Sequence, residues 1–217
     1  MTTRDQATEA APAASRRSKI TPERAQEFYD VVLDQLRESG YGSLTMEGVA
    51  AQACCSKSTL YRQWKTKPQL VAAALRAGRC GKFFTADTGT LAGDLCAAAR
   101  NAASQAKPDT ALLQALGHAA LQDDELKGAL REALIEPELA SIDSMVKRAV
   151  ARGEIAADHP ALPYVAAQLF GVMRSRPILE GRDADGDYLV RFVECALVPG
   201  LGLASKPSGP ALEGRAT

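Results

Sequence analysis

The sequence predicts an all-α protein, with a small N-terminal module of three short helices followed by a larger helical domain. Apolar residues recur at intervals of three and four along most of the 217 residues, which is the period of an amphipathic helix. No stretch of alternating β-branched residues is long enough for a sheet. Helix start and stop signals are dense between residues 21 and 67, and they divide the first module into three helices, of which the last two are short.

The first helix is predicted to begin at Pro22 and to stop at Gly40. Thr21 is a suitable N-cap residue, and proline is tolerated in the first helical turn. Glycine is the usual residue at the end of a helix. The apolar stripe of this helix consists of Ala25, Phe28, Tyr29, Val32 and Leu36. We expect this helix to brace the two that follow.

Two shorter helices are predicted next, joined by a tight turn. Thr45 caps a helix that begins at Met46, and Glu47 lies where the helix dipole favours an acidic residue. Ser56 is the second cap, before a helix from Lys57 to Trp64. The apolar face of the first is Met46, Val49, Ala50 and Ala53, and that of the second is Leu60, Tyr61 and Trp64. The small alanines allow the two helices to approach closely.

The second of these helices presents a polar and basic outer face. This face consists of Lys57, Ser58, Thr59, Arg62 and Gln63. Arg and Lys donate to guanine, Gln pairs with adenine and a Thr methyl contacts thymine, so this face suits the edges of bases in a major groove. The alternative is a solvated amphipathic helix pair. The joint occurrence of caps, small residues, turn and aromatic pair favours DNA binding.

The segment from Arg24 to Leu70 resembles the DNA-binding domain of the TetR (tetracycline-repressor) family of bacterial regulators. The matching residues are Gly40-Tyr41, Thr45, Val49-Ala50, the run Ser56-Lys57-Ser58-Thr59-Leu60-Tyr61-Arg62-Gln63-Trp64, and Lys67. The chain departs from the pattern at Cys54-Cys55, where Gly-Val is usual, and at Ser58, where a smaller residue is common.

The resemblance implies which residues meet DNA. The groove-facing set is Lys57, Ser58, Thr59, Tyr61, Arg62 and Gln63. Thr45 and Lys67 are implied phosphate contacts, and a phosphate contact is also open to the Tyr61 hydroxyl. Ser56, at the start of the helix, completes the predicted DNA-binding set.

Four segments are predicted along the chain. Residues 1–20 form a disordered arm ending in Arg16, Arg17 and Lys19, which either reaches DNA or is a solubilising tail. Residues 21–66 form the helix-turn-helix domain, residues 67–204 the helical effector-binding and dimerisation domain, and residues 205–217 a flexible tail.

Six helices are predicted after the first module. Their ranges are Pro68–Arg79, Leu91–Gln105, Thr110–Leu121, Glu125–Arg152, Pro160–Glu180 and Gly186–Val198. Pro137 is expected to bend or break the fourth, because proline removes a backbone donor. Asp158 is expected to cap the fifth.

The last two helices carry apolar stripes. The stripe residues are Leu162, Val165, Ala166, Leu169, Val172 and Met173 in one helix, and Leu189, Phe192, Val193, Ala196 and Leu197 in the other. By resemblance, all of these except Ala166 are predicted to form a homodimer interface. The alternative is that both stripes fill the core of one chain. A dimer reads a palindrome with half-sites about 34–36 Å apart.

Charge and composition limit the function further. Residues 1–82 contain 13 Lys and Arg against 8 Asp and Glu, whereas the remainder contains 13 against 18. A basic N-terminal part suits phosphate. No apolar run reaches membrane-spanning or signal-peptide length, so a cytoplasmic location is expected. The five cysteines show neither a disulfide framework nor zinc spacing, and we expect them to be small buried hydrophobic residues.

The predicted function is a ligand-responsive repressor that binds a palindromic operator as a homodimer. No cofactor or metal is expected. The resemblance implies a small-molecule effector among the C-terminal helices, and the sequence identifies neither that molecule nor its contacts. Two alternatives remain: an all-α enzyme, for which no nucleophile–base pair or metal cluster is visible, and a helix-turn-helix protein without an effector.

Overall fold

The structure is a computed structural model that describes residues 20–78, 84–106 and 110–204. Within these ranges the chain forms helices and no strand, which confirms the predicted all-α class. The α-helices are α1 (Pro22–Ser43), α2 (Met46–Gln52), α3 (Lys57–Gln63), α4 (Lys67–Ala77), α5 (Leu91–Ala106), α6 (Thr110–Ala119), α7 (Asp124–Leu130), α8 (Glu136–Ala151), α9 (Val165–Glu180), α10 (Gly186–Phe192) and α11 (Val198–Gly200).

A sharp bend near the end of α1 sets the direction in which the chain enters the helix-turn-helix. Thr21 caps α1 by accepting a hydrogen bond from the Arg24 amide at 3.3 Å. Gly40 has φ 76° and ψ 174° inside this helix, so the last turn, which begins with Tyr41, leaves the axis of the first part. The predicted stop at Gly40 is therefore a bend, and the helix ends at Ser43.

Two π-helical turns lie where the sequence predicts single long helices. Arg131–Ile135 joins α7 to α8, and Val193–Leu197 joins α10 to α11. Each turn ends two residues before a proline, Pro137 or Pro199. A proline cannot donate to the carbonyl four residues earlier and its ring crowds that group, so a widened turn relieves the conflict. At Pro137 the chain therefore stays helical through a widened turn, where the sequence predicts a bend or break.

The helix predicted from Pro160 begins later than expected. A 3-10 turn, Leu162–Tyr164, precedes α9, and the Ala161 amide donates to Nδ1 of His159 at 3.2 Å. The prediction that Asp158 caps this helix is wrong. The 3-10 turn has Ala161 at its cap position and α9 starts only at Val165, so the side chain at position 158 lies too early in the chain to cap either.

Buried side chains form two hydrophobic cores. The N-terminal core joins α1, α2, α3 and α4, and it also contains Leu112 and Leu116 of α6, Leu126 of α7 and Leu134. The C-terminal core is built mainly from α5, α8, α9 and α10, and Met145 of α8 is fully buried in it. The N-terminal core therefore crosses the domain boundary predicted after residue 66.

Half of the predicted dimer stripe lies inside this C-terminal core. Val165, Leu169, Leu189, Val193 and Leu197 are each no more than 5% exposed in the single chain. The prediction that these five residues form the dimer interface is wrong, because neighbouring helices of the same chain already cover their side chains. Leu162, Val172, Met173 and Phe192 are half-buried, and Ala196 is exposed.

Two predicted segments lie outside the described residues. They are the arm that contains Arg16, Arg17 and Lys19, and the tail at residues 205–217. Across the ranges that the structure covers, none of the helices has the length and apolar character needed to cross a bilayer.

Candidate nucleic-acid interface

Helices α2 and α3 begin at the predicted residues, with different caps. The Thr45 hydroxyl accepts a hydrogen bond from the Gly48 amide at 3.0 Å, so the predicted cap of α2 is confirmed. Ser56 occupies the cap position of α3, but its hydroxyl lies 2.9 Å from the hydroxyls of both Ser58 and Thr59. The hydroxyl therefore organises the first turn of α3 without capping a backbone amide.

Trp64 attaches α3 to α1. Its ring is 6% exposed and packs edge-on against the rings of Phe28 and Tyr29, each 5.5 Å away between centroids. Leu60, one turn earlier, is fully buried. These contacts bury one side of α3 and fix its other side toward solvent.

The turn between α2 and α3 has an unusual backbone at Cys54. This residue has φ 48°, which is the left-handed region that glycine adopts most easily. Arg24 of α1 supports the turn, because its Nη2 donates to the Ala53 carbonyl at 2.6 Å. Cys54, which stands where the family pattern has glycine, therefore adopts the left-handed conformation at some cost in strain.

The cysteines fall into two groups. Cys96 is buried, as expected, and burial raises the pKa of its thiol. Cys54 and Cys195 are exposed, so the expectation that the cysteines are buried hydrophobic residues is wrong for these two. All four described cysteines are free thiols.

The outer face of α3 is accessible to solvent along its length. Lys57, Ser58, Arg62 and Gln63 are exposed, and Thr59 is half-buried. Tyr61 is 45% exposed. In the part of the chain that the structure describes, the Arg62 and Gln63 side chains take part in no hydrogen bond or ion pair. They are therefore available to bind groups outside the chain.

Lys57 has a partner that sequence analysis did not identify. Its ammonium lies 3.1 Å from a carboxylate oxygen of Glu47 on α2. A backbone hydrogen bond, and then the bond to Lys57, hold the pKa of Glu47 below its usual range. Both side chains are largely exposed, so the pair adds little stability. Its main effect is to set the direction of Lys57 at the start of α3.

Lys67 lies at the start of α4 against Tyr41. Its ammonium donates to the Tyr41 carbonyl at 3.0 Å and lies 4.0 Å from the centroid of that ring. The Tyr41 hydroxyl donates in turn to the Asp123 carboxylate at 3.0 Å. Asp123 also caps α7 by accepting from the Leu126 amide at 2.9 Å. Aspartate is a common cap residue, so the sequence alone suggests this role. The contact of Asp123 with Tyr41, 82 positions earlier, cannot be inferred from the spacing of residues in the sequence.

A cleft of about 270 Å³ lies between residues 84–85 and α8. Its lining includes Phe84, Thr85 and Arg148. The Arg148 Nε atom is buried, makes no hydrogen bond to the described residues and lies 3.5 Å from a carboxylate oxygen of Asp87, with which the guanidinium forms an ion pair. Among the residues with described positions, no group of three or more His, Cys, Asp or Glu side chains is placed to hold a metal ion.

Comparison with known families agrees with this architecture. Residues 30–74 match the model described as bacterial regulatory proteins of the tetR family. Residues 85–196, about half of the chain, match the tetracyclin repressor-like C-terminal domain. The chain belongs to the TetR family. Its members are DNA-binding transcriptional regulators and not enzymes, which sets aside the enzyme alternative.

Individual TetR-family relatives cover most of the chain. A DNA-binding transcriptional repressor TetR of Mycobacteroides abscessus is 37% identical over 143 residues, which is 62% of this chain and 72% of the relative. An uncharacterised HTH-type transcriptional regulator of Mycobacterium bovis is 28% identical over 182 residues, 82% of this chain and 88% of the relative. The crystal structure of the TetR family transcription regulator SCO0332 superposes with a TM-score of 0.60 at 27% identity, covering 82% of this chain and 97% of that one.

Proposed function

We propose that this TetR-family regulator is a ligand-responsive repressor that binds a palindromic operator as a homodimer. The observation that carries the proposal is the outer face of α3. On this face the Arg62 and Gln63 side chains have no partner among the described residues, while Trp64 and Leu60 hold the opposite side in the core. A short helix anchored on one side and polar on the other is the element that enters a major groove.

Each residue of the face has a role in this proposal. Arg62 and Gln63 read base edges, because guanidinium and amide groups make paired hydrogen bonds to purines. Lys57, Ser58 and Thr59 lie at the end of α3 nearest the turn and complete the reading surface. The residues proposed to contact phosphate are Thr45, Ser56, Tyr61 and Lys67.

The first experiment identifies the operator. Selection from random DNA with the full chain is expected to yield a palindrome, and footprinting is expected to protect both half-sites. A selected pool without common sequence would contradict the proposal. The repression of a promoter that contains the selected sequence, measured with a reporter gene, tests the sign of the regulation.

Arg62→Ala is expected to weaken binding to the selected operator by roughly 1–3 kcal/mol and to relax the preference at one base pair of each half-site. Binding to operators with single base changes measures both effects. Arg182→Ala, which removes an exposed arginine distant in sequence from α3, is the matched control. If the two variants discriminate among operators equally well, Arg62 does not read a base.

The proposed dimer rests on the apolar surface of α9 and α10. Ile178 and Leu179, adjacent residues near the end of α9, are 83% and 79% exposed. Large apolar side chains exposed together favour an interface. With the corrections above, the proposed interface residues are Leu162, Val172, Met173, Phe192 and Ala196, together with Ile178 and Leu179.

Ile178→Lys is expected to raise the dissociation constant of the dimer at least tenfold. A tenfold change corresponds to about 1.4 kcal/mol of binding free energy, and burying a charge in an apolar contact costs more than that. Sedimentation velocity over a range of concentrations measures this. Leu121→Lys, at a residue 72% exposed in the turn between α6 and α7, is the control. A wild-type chain that sediments as a single copy and still binds the palindrome would contradict the proposal.

Effector sensing and location are proposed from family membership. The cleft beside Arg148 is lined by an aromatic ring, hydroxyls and a guanidinium that is already paired with Asp87 and Asp94, and a small molecule bound there would meet the ring and the hydroxyls. A thermal-shift screen tests this, since a ligand that binds only the folded state raises the melting temperature. Because the operator lies in bacterial DNA, the proposed location is the cytoplasm.

A further inference from the structure

We propose that Asp123 is a positioning residue for DNA binding, which acts through Tyr41 to hold the Lys67 ammonium ready for a phosphate. The inference rests on the proposed function, in which Lys67 contacts the DNA backbone. It adds a residue of the C-terminal part of the chain to the DNA-binding apparatus.

Among the described residues, Tyr41 is the one that holds the Lys67 ammonium. Tyr41 contributes its carbonyl, at 3.0 Å, and the face of its ring, at 4.0 Å. An ammonium has three donors, and the carbonyl occupies one of them, so two remain for phosphate oxygens. A lysine that is already held loses less conformational freedom when DNA binds, and this favours affinity.

Tyr41 is itself held at its far end. Its hydroxyl donates to one oxygen of Asp123 at 3.0 Å, while the other oxygen accepts from the Leu126 amide at 2.9 Å. Burial, and then the bond to Asp123, raise the pKa of Tyr41, and the pKa of Asp123 is lowered by the Leu126 amide and then by Tyr41. The phenol thus stays a donor and the carboxylate an acceptor at neutral pH.

The backbone makes this geometry possible. The bend at Gly40 turns Tyr41 away from the axis of α1 and toward both Lys67 and the start of α7. The three residues come from three places in the sequence: the end of α1, the start of α4, and the turn between α6 and α7. A displacement of the turn between α6 and α7 is therefore transmitted to the Lys67 ammonium through the Tyr41 ring.

Conservative variants separate positioning from folding. Tyr41→Phe keeps the ring and removes the hydroxyl. Asp123→Asn keeps a good cap residue, because its oxygen can still accept from the Leu126 amide. Its NH2 group then faces Tyr41 in place of a carboxylate oxygen, so the Tyr41 hydroxyl can no longer donate there and loses its charged acceptor. Asp185→Asn is the matched control, because Asp185 caps α10 in the same way, with the Tyr188 amide 2.9 Å away.

The measurement is the affinity of the full chain for the selected operator at several salt concentrations. We expect Tyr41→Phe and Asp123→Asn each to weaken binding between about twofold and tenfold, the range for one hydrogen bond. We also expect the salt slope to fall toward that of Lys67→Ala, which loses about one unit. In the Lys67→Ala background, Tyr41→Phe should cause no further loss.

The outcomes distinguish the two proposals. If Lys67→Ala binds as tightly as the wild type, the phosphate contact in the proposed function is wrong. If Lys67→Ala weakens binding while Tyr41→Phe and Asp123→Asn do not, positioning by Asp123 is overturned. It is also overturned if these two variants weaken binding equally with and without Lys67, because that result indicates a general structural effect. Asp185→Asn should match the wild type.

Discussion

Trp64→Ala is expected to lower the free energy of unfolding by roughly 3–5 kcal/mol, the cost of removing a large buried aromatic side chain. The ring is 6% exposed and contacts two further rings, so the variant loses both buried area and edge-on aromatic contacts. Chemical denaturation followed by circular dichroism measures the change. The operator affinity should fall as well, because α3 loses its attachment to α1.

Tyr61→Ala is the matched control on the same helix. Tyr61 is 45% exposed, so its loss should change the free energy of unfolding by no more than about 0.5 kcal/mol. It should still weaken binding to all DNA sequences if the hydroxyl contacts a phosphate. A loss of stability below about 1 kcal/mol in Trp64→Ala would show that α3 is held by other contacts.

Gly40→Ala and Gly42→Ala are expected to change stability in opposite directions. Gly40 has φ 76° and ψ 174°, a region open almost only to glycine, so alanine there should cost about 1–3 kcal/mol. Gly42 lies in the short helical turn after the bend, at negative φ, and alanine there should be neutral or stabilising by about 0.4–1 kcal/mol. A Cβ added at either glycine meets no atom within 4 Å, so the backbone alone decides the difference.

Urea denaturation of the two variants provides the comparison. Gly40→Ala should additionally weaken operator binding, because Tyr41 follows directly and holds Lys67. Equal stability of the two variants would mean that the bend in α1 does not need glycine.

The helix-turn-helix was predictable from sequence because its signals are local. Thr45, the apolar position Leu60 and the outward position Arg62 all lie within one short segment, where capping chemistry and the helical period fix each orientation. The same capping chemistry applies to Asp123, which lies directly before α7 and caps it. It could not place Asp123 beside Tyr41, since that contact depends on how α7 packs against α1 and α4.

The predicted dimer stripe shows a second limit of prediction from sequence. A helical period identifies an apolar face without saying which neighbour covers it. Val165 and Leu169 are buried in the core of their own chain, whereas Val172 and Met173 of the same stripe are only half-buried. The helical period places all four on one face, and only the tertiary packing of the chain decides which of them are left to meet a second copy.

The N-terminal core has a consequence for how such regulators diversify. Val71 and Leu75 of α4 are packed together with Leu112, Leu116 and Leu126, which come from α6 and α7. A DNA-binding domain cut from the chain before α6 would leave the part of its core that packs against α6 and α7 exposed to water. Exchanging DNA-binding domains between relatives therefore requires matching surfaces on α6 and α7. The DNA-binding domain and the helices that it packs against are thus constrained to evolve together.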